Sequence, residues 1–165
     1  MALRKYQEAG LAPSFEFKKP KQMKEGGEVE RYHRIELVVE GVPLGYAELH
    51  YMSKPIPSFL VNYVFVKKNV RGFGFGGAVM EKINDYIISR GKMGMLCNAI
   101  DPKSKVRGIY EAHGWHESSQ FSDWMTINEP KNVKPEAVEK AIAYAMLWLE
   151  KIEERVDKKE DLKAA

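Results

Sequence analysis

Cysteine is nearly absent from this chain. Cys97 stands alone in 165 residues, so no internal disulfide can form. A single thiol of this kind fits a reducing cytoplasm and buried strand packing. No apolar run approaches the roughly 18 residues of a membrane span, so a soluble protein is expected. The first ten residues carry Arg4, Lys5 and Glu8 and no apolar stretch, so no secretory leader is expected either. Neither sign of charge dominates: 26 Lys and Arg against 23 Asp and Glu leave a net charge of +3. That balance tolerates anionic ligands but does not argue for nucleic acid. Metal-ligand spacing is also wanting. Only His113-x-x-His116 resembles it, across a helix end and a turn with no third ligand, so no metal is expected.

What is present is one ordinary domain's worth of chain, with 44% hydrophobic and 30% charged residues. Residues 1–27 are polar and lysine-rich, with a brief alternation at Phe15 and Phe17 that reads as a short strand. In "RYHRIELVVEG" Ile35, Leu37 and Val39 alternate as in a strand, "EGVP" turns, and "LGYAELHYM" returns to complete a hairpin. "FLVNYVFV" (59–66) is nearly continuous in apolar residues, the pattern of a strand covered on both faces. In "AVMEKINDYIISRG" Val79, Ile83, Tyr86 and Ile87 share one helical face, with Gly91 as the stop. "MGMLCNAI" reads as a buried strand, "SKVRGIYEAHG" as a short helix, and Trp115 to Ile127 as one or two further strands. From Pro135 to about Lys158 a long helix is expected. Its stripe of Val138, Ile142, Ala145, Leu149, Ile152 and Val156 repeats like a heptad, for packing on its own domain or for self-association as a homodimer.

The chemistry concentrates between Val70 and Ala78, in "VRGFGFGGA". So many glycines imply a close approach of backbone to something else. A Walker-type phosphate loop would need Lys and Ser/Thr after the last glycine, where Ala78 and Val79 stand. Gly72-x-Gly74-x-x-Gly77 matches the dinucleotide fingerprint, with Asp101 near the place of a ribose-binding acid. Against that reading, "KKNVR" separates Val66 from Gly72, whereas the fingerprint's first glycine ends its strand. An antiparallel hairpin precedes the unit, and too little chain remains for a second mononucleotide half.

"YVFVKKNVRGFGFGGAVMEKINDYIISRG" followed by "KSKVRGIYEAHGW" resembles the GNAT superfamily of N-acetyltransferases over about residues 31–128. The strand Val64–Val66, a short spacer and Arg71-x-x-Gly74-x-Gly76 match its first motif; Tyr110-Glu111-Ala112-His113-Gly114-Trp115 matches its second. The resemblance implies an α/β (α+β) fold: a mixed, mostly antiparallel twisted sheet flanked by helices. Residues 1–130 would form this domain, 1–27 being an abbreviated N-terminal region, and 131–165 an appended C-terminal helix. It further implies a cytoplasmic, acetyl-CoA-dependent N-acetyltransferase. Coenzyme A would be held by the main chain of Val64, Phe65 and Val66 and by the turn of Arg71, Gly72, Phe73, Gly74, Phe75, Gly76 and Gly77. A glycine turn feeding a helix presents successive N–H groups to a pyrophosphate, with the positive end of the helix dipole behind them. One phenylalanine is expected under the loop and the other along the ligand, with the order open.

By the same resemblance, acetyl transfer proceeds by direct attack of an amine in a ternary complex, with Tyr110 as general acid to the departing thiolate and an N–H near Val66 polarising the carbonyl. Some members place a glutamate on the strand matching Phe59–Val66; none stands there, so Glu48, or else His50 on the same strand face, is the candidate base. Where members often have asparagine and alanine before the tyrosine, this chain has Lys103 and Val106. Members also carry a strand and two helices before the hairpin, walling the acceptor site; here about 28 residues are available. An open acceptor site favours a peptide or protein amine over a small metabolite. Two other readings stand beside this one: an acyl-CoA-binding module whose catalysis has lapsed, and an enzyme acetylating an aminoacyl group on tRNA.

Overall fold

The computed structural model describes residues 14–25, 28–97, 105–118, 120–121 and 123–164, without the side chains of 18–32, 105–106 and 151–164. Asp101, Lys103 and the end of the "MGMLCNAI" strand lie outside the described residues, as do the side chains of Val106, Ile152 and Val156.

Among the described residues seven strands form one sheet, in the order β1-β2-β3-β4-β5-β7-β6. They are β1 (Ser14–Glu25), β2 (Glu28–Val39), β3 (Val42–Met52), β4 (Ser58–Val66), β5 (Met93–Cys97), β6 (His116–Glu117) and β7 (Trp124–Ile127). Only β4 and β5 run parallel; every other neighbouring pair is antiparallel. The helices are α1 (Phe75–Ser89), α2 (Lys105–Ala112) and α3 (Pro135–Ala164).

β1 is far longer than the short alternation at Phe15 and Phe17 foretold. It pairs with β2 along its length, and the register shifts between Lys18 and Lys21, where Pro20 brings no N–H to the ladder. Partnership with an apolar strand supplies what the local lysine-rich sequence lacks. β1 ends at Glu25 and β2 begins at Glu28, so no helix fits between them.

Two apolar layers sandwich the sheet. On one face α1 buries Val79, Met80, Ile83 and Ile87 to 1% exposure or less, over Ile35, Leu37, Ala47, Leu49, Phe59 and Val61. At about 1.5–3 kcal/mol for each large apolar side chain, this stripe fixes α1 to the sheet. Gly94 permits the closeness of that layer at β5: a Cβ there would stand 2.7 Å from both Trp115 and Ile127. On the other face Val138, Ala141, Ile142, Ala145 and Trp148 of α3 cover Met52, Leu60, Met93, Met95 and Trp124. The first half of the heptad stripe is therefore engaged by the chain's own sheet.

"FLVNYVFV" departs from the expectation of a strand buried on both faces. Ser58 to Val61 are buried, but from Asn62 onward β4 is partly open, and Tyr63 is 49% exposed. Among the described residues, α3 packs on the first half of the strand, at Leu60, and the pairing with β5 runs to Val61.

Candidate active site

Among the described residues β4 and β5 pair from Ser58↔Met93 to Val61↔Leu96, and β4 continues to Val66. The β3–β4 register shifts at the same place: Glu48 faces Tyr63 and Leu49 faces Val61, so Asn62 is an extra residue in β4. Such a bulge bends its strand and increases the local twist. Beyond it, Lys67 N–H donates to Leu44 O at 2.8 Å, while Tyr46 stands opposite Phe65 and Gly45 opposite Val66. Antiparallel alternation then engages the main chain of Phe65 with β3 and turns N–H and C=O of Val64 and Val66 to the other side, where no described strand pairs with them. Phe65, expected to bind the cofactor beside them, instead spends its backbone bonding on Tyr46.

The chain leaves β4 through a single 3-10 turn, Lys68–Val70, and enters α1 through Gly72 and Gly74, with φ of +86° and +83°. That left-handed backbone is open to glycine at little cost and strained for a side chain. No side chain caps the helix and its first turn holds no acid. The bond from Ala78 N–H to Gly74 O, at 3.2 Å, is the first of the helix, so the N–H groups of Phe75, Gly76 and Gly77 precede the intrahelical ladder. A Cβ on Gly76 would meet nothing within 4 Å, and one on Gly77 would stand 3.7 Å from His113. Of the two phenylalanines, Phe75 is 1% exposed in the core and packs under the turn, while Phe73 is 38% exposed. Arg71 folds back over β4, its Nε donating to Val66 O at 2.8 Å with the guanidinium 5.7 Å from the Phe65 ring. Of the Val66 main-chain groups turned from β3, Arg71 thus takes the carbonyl.

Tyr110 packs against the same apolar cluster as Val64, Val66 and Val70. Burial pushes its pKa above the ordinary phenol value, so the hydroxyl carries its proton at neutral pH. Asn84 of α1 holds this helix end in place. Its Nδ2 donates to His113 O at 2.7 Å, and its Oδ1 accepts from Trp115 Nε1 at 2.8 Å. Sequence reading missed Asn84; the only signal was an amide next to Ile83 on a helix otherwise buried by apolar residues. The two histidines of the His113-x-x-His116 spacing turn to different partners. His113 Nδ1 meets Ile109 O at 2.8 Å, whereas His116 Nε2 meets Glu129 at 3.2 Å and Thr126 at 3.3 Å. Among the described residues no group of His, Cys, Asp and Glu is arranged to hold a metal ion.

Glu48 and His50 do share a face, the one away from α1, but their surroundings differ. Glu48 is half-buried and 3.8 Å from Arg34, which also pairs with Glu36 at 3.2 Å and lies 3.9 Å over the Tyr46 ring. Tyr63 and Phe65 continue that aromatic surface, at 5.7 and 5.4 Å from Tyr46. His50 is 4% exposed, with Trp148 of α3 at 4.1 Å between ring centres. Burial, then the neighbouring His33, lowers its pKa to about 4. A neutral imidazole sealed under α3 is out of a substrate's reach, which removes His50 as a candidate base.

No protein-family model matches this sequence, and no curated protein matches it. Solved structures do. The ribosomal-protein-S18-alanine N-acetyltransferase from Escherichia coli aligns with a TM-score of 0.51 at 14% identity, over 73% of this chain and 99% of that one. A protein assigned to the GNAT acetyltransferases from Desulfovibrio desulfuricans aligns at 0.49 and 14% identity, over 58% and 67% of the two chains. The PaiA N-acetyltransferase from Thermoplasma acidophilum, solved with coenzyme A, aligns at 0.46 and 13% identity, over 58% of each. At such identities the likeness is one of fold. The chain has the GNAT fold, a mixed and mostly antiparallel sheet between helices.

Proposed function

We propose that the chain is an acetyl-CoA-dependent N-acetyltransferase acting on a primary amine. The observation that carries this reading is the wedge: among the described residues β5 pairs with β4 only as far as Val61, beside an α1 whose leading N–H groups emerge from a glycine turn without a side-chain cap. The main chain of Val64 and the N–H of Val66 would line the pantetheine arm. Pyrophosphate oxygens would accept from the first-turn N–H groups of α1, at roughly 1.5–3 kcal/mol for each charge-assisted bond.

In the transfer, the neutral amine attacks the thioester carbonyl, a C–N bond forms and the C–S bond breaks. The Val66 N–H steadies the carbonyl oxygen as charge builds on it. Tyr110, held protonated by burial, gives its proton to the departing thiolate. Glu48 receives the proton of the amine, through water, from the face of the sheet opposite α1. The acceptor is proposed to be a peptide or protein amine. What supports this is the absence of any helix between β1 and β2 and the exposure of Tyr63 beside Glu48.

The engagement of Glu48 with Arg34 favours one other reading, a coenzyme A-binding module without turnover. Thiol release from acetyl-CoA in the presence of peptide N-termini and lysine side chains separates the two. Amine-dependent release supports the enzyme; tight coenzyme A binding with no release from any amine supports the module.

A further inference from the structure

At the far end of α1 from the glycine turn lies a second cavity, about 370 Å³ in volume, lined by His33, Tyr51, Phe59, Arg90 and Lys92. The 15 residues of α1 place it about 20 Å from Gly74. Its floor is aromatic. Tyr51 and Phe59 stand 5.3 Å apart, and His33 meets Phe59 edge-on at 5.3 Å. Its rim is cationic, and one cation is fixed in place: Arg90 Nη1 donates to Tyr86 O at 3.1 Å, and the guanidinium lies 3.5 Å over the Tyr86 ring. The Tyr86 hydroxyl in turn bonds His33 Nδ1, so Arg90, Tyr86 and His33 brace one another. Lys92 reaches over the Tyr51 ring from the other side, at 5.8 Å. None of the described lining residues is acidic.

We infer that this cavity is a binding site for a small organic anion with an aromatic body, a ring-bearing carboxylate, separate from the wedge. A bare anion would not need the rings, and a neutral arene would not need two cations. The volume falls in the range of small-ligand sites, about 300–1,000 Å³. One bond to Tyr86 O occupies one of the five guanidinium N–H donors of Arg90, leaving others to meet a carboxylate.

The test is calorimetric titration of the full chain with benzoate, with benzamide as the neutral isostere. The inference predicts saturable binding of benzoate and not of benzamide. Lys92→Gln and Arg90→Gln, each checked for an unchanged circular dichroism spectrum, should weaken benzoate about tenfold. The affinity should be the same with saturating coenzyme A. Equal binding of benzamide, no saturable binding of benzoate, unaltered affinity in both variants, or displacement by coenzyme A would each overturn it. Lys92 is half-buried and the less tied of the two cations, so its variant keeps the test readable if Arg90→Gln loosens α1.

Discussion

Val61 and Leu96 are, among the described residues, the last pair that the parallel strands β4 and β5 make across the sheet. β4 then runs on to Val66 with β3 on one side and, among the described residues, no strand on the other. The wedge this leaves, next to the glycine turn, is what the proposed reaction requires.

Gly76 and Gly74 separate ligand binding from fold strain. Gly76→Val places its side chain in open space at the head of α1, so stability should hold while coenzyme A affinity falls about a hundredfold. Gly74→Val should lose affinity and also about 1–2 kcal/mol of stability, because its φ is +83°. Titration calorimetry with thermal melts of both variants checks this. Equal destabilisation of the two would assign the glycines to the fold alone.

Tyr110→Phe keeps the packing and removes the proton. Turnover should drop about a hundredfold with the affinity for acetyl-CoA unchanged. An unaltered rate would make Tyr110 a packing residue.

Asn84→Leu leaves the Trp115 indole N–H and the His113 carbonyl without their present partner. The expected cost is about 1–3 kcal/mol of stability, together with lower turnover because α2, which carries Tyr110, loses its tie to α1. Denaturant unfolding and kinetics on one preparation measure both. A stable variant of normal rate would remove the positioning role.

Much of this architecture was legible in the sequence, for reasons that differ by element. The β2–β3 hairpin announced itself through alternation at Ile35, Leu37 and Val39, and α1 through Val79, Ile83 and Ile87, because each buries one face against one layer. β1 was only half visible, since its lysines gain a strand conformation from pairing with β2 and not from local preference. The coverage of β4 was misread because an apolar run cannot report how far the layers packed on its faces extend along it. The glycine turn was visible in the sequence itself, and Tyr110 entered only through the resemblance of its helix to the family's second motif. Asn84 and the seal of Trp148 over His50 were not, because each depends on contacts between residues distant in the chain.

His50 makes stability depend on pH. Its folded pKa of about 4 lies below the ordinary value of 6.5, so between those limits the unfolded chain binds more protons. Stability from this group is full above pH 6.5 and falls by about 3 kcal/mol as pH drops to about 4. Wild type and His50→Phe, unfolded in denaturant across that range, should differ by this slope. Parallel curves would show that His50 is not buried neutral.

The most direct test of the central claim is isothermal titration of the purified chain with acetyl-CoA, with NADH as the competing ligand. The account predicts micromolar binding of acetyl-CoA, none of NADH, and loss of the acetyl-CoA signal in Gly76→Val. Binding of NADH alone would return the glycines to the dinucleotide fingerprint and contradict the wedge as a coenzyme A site.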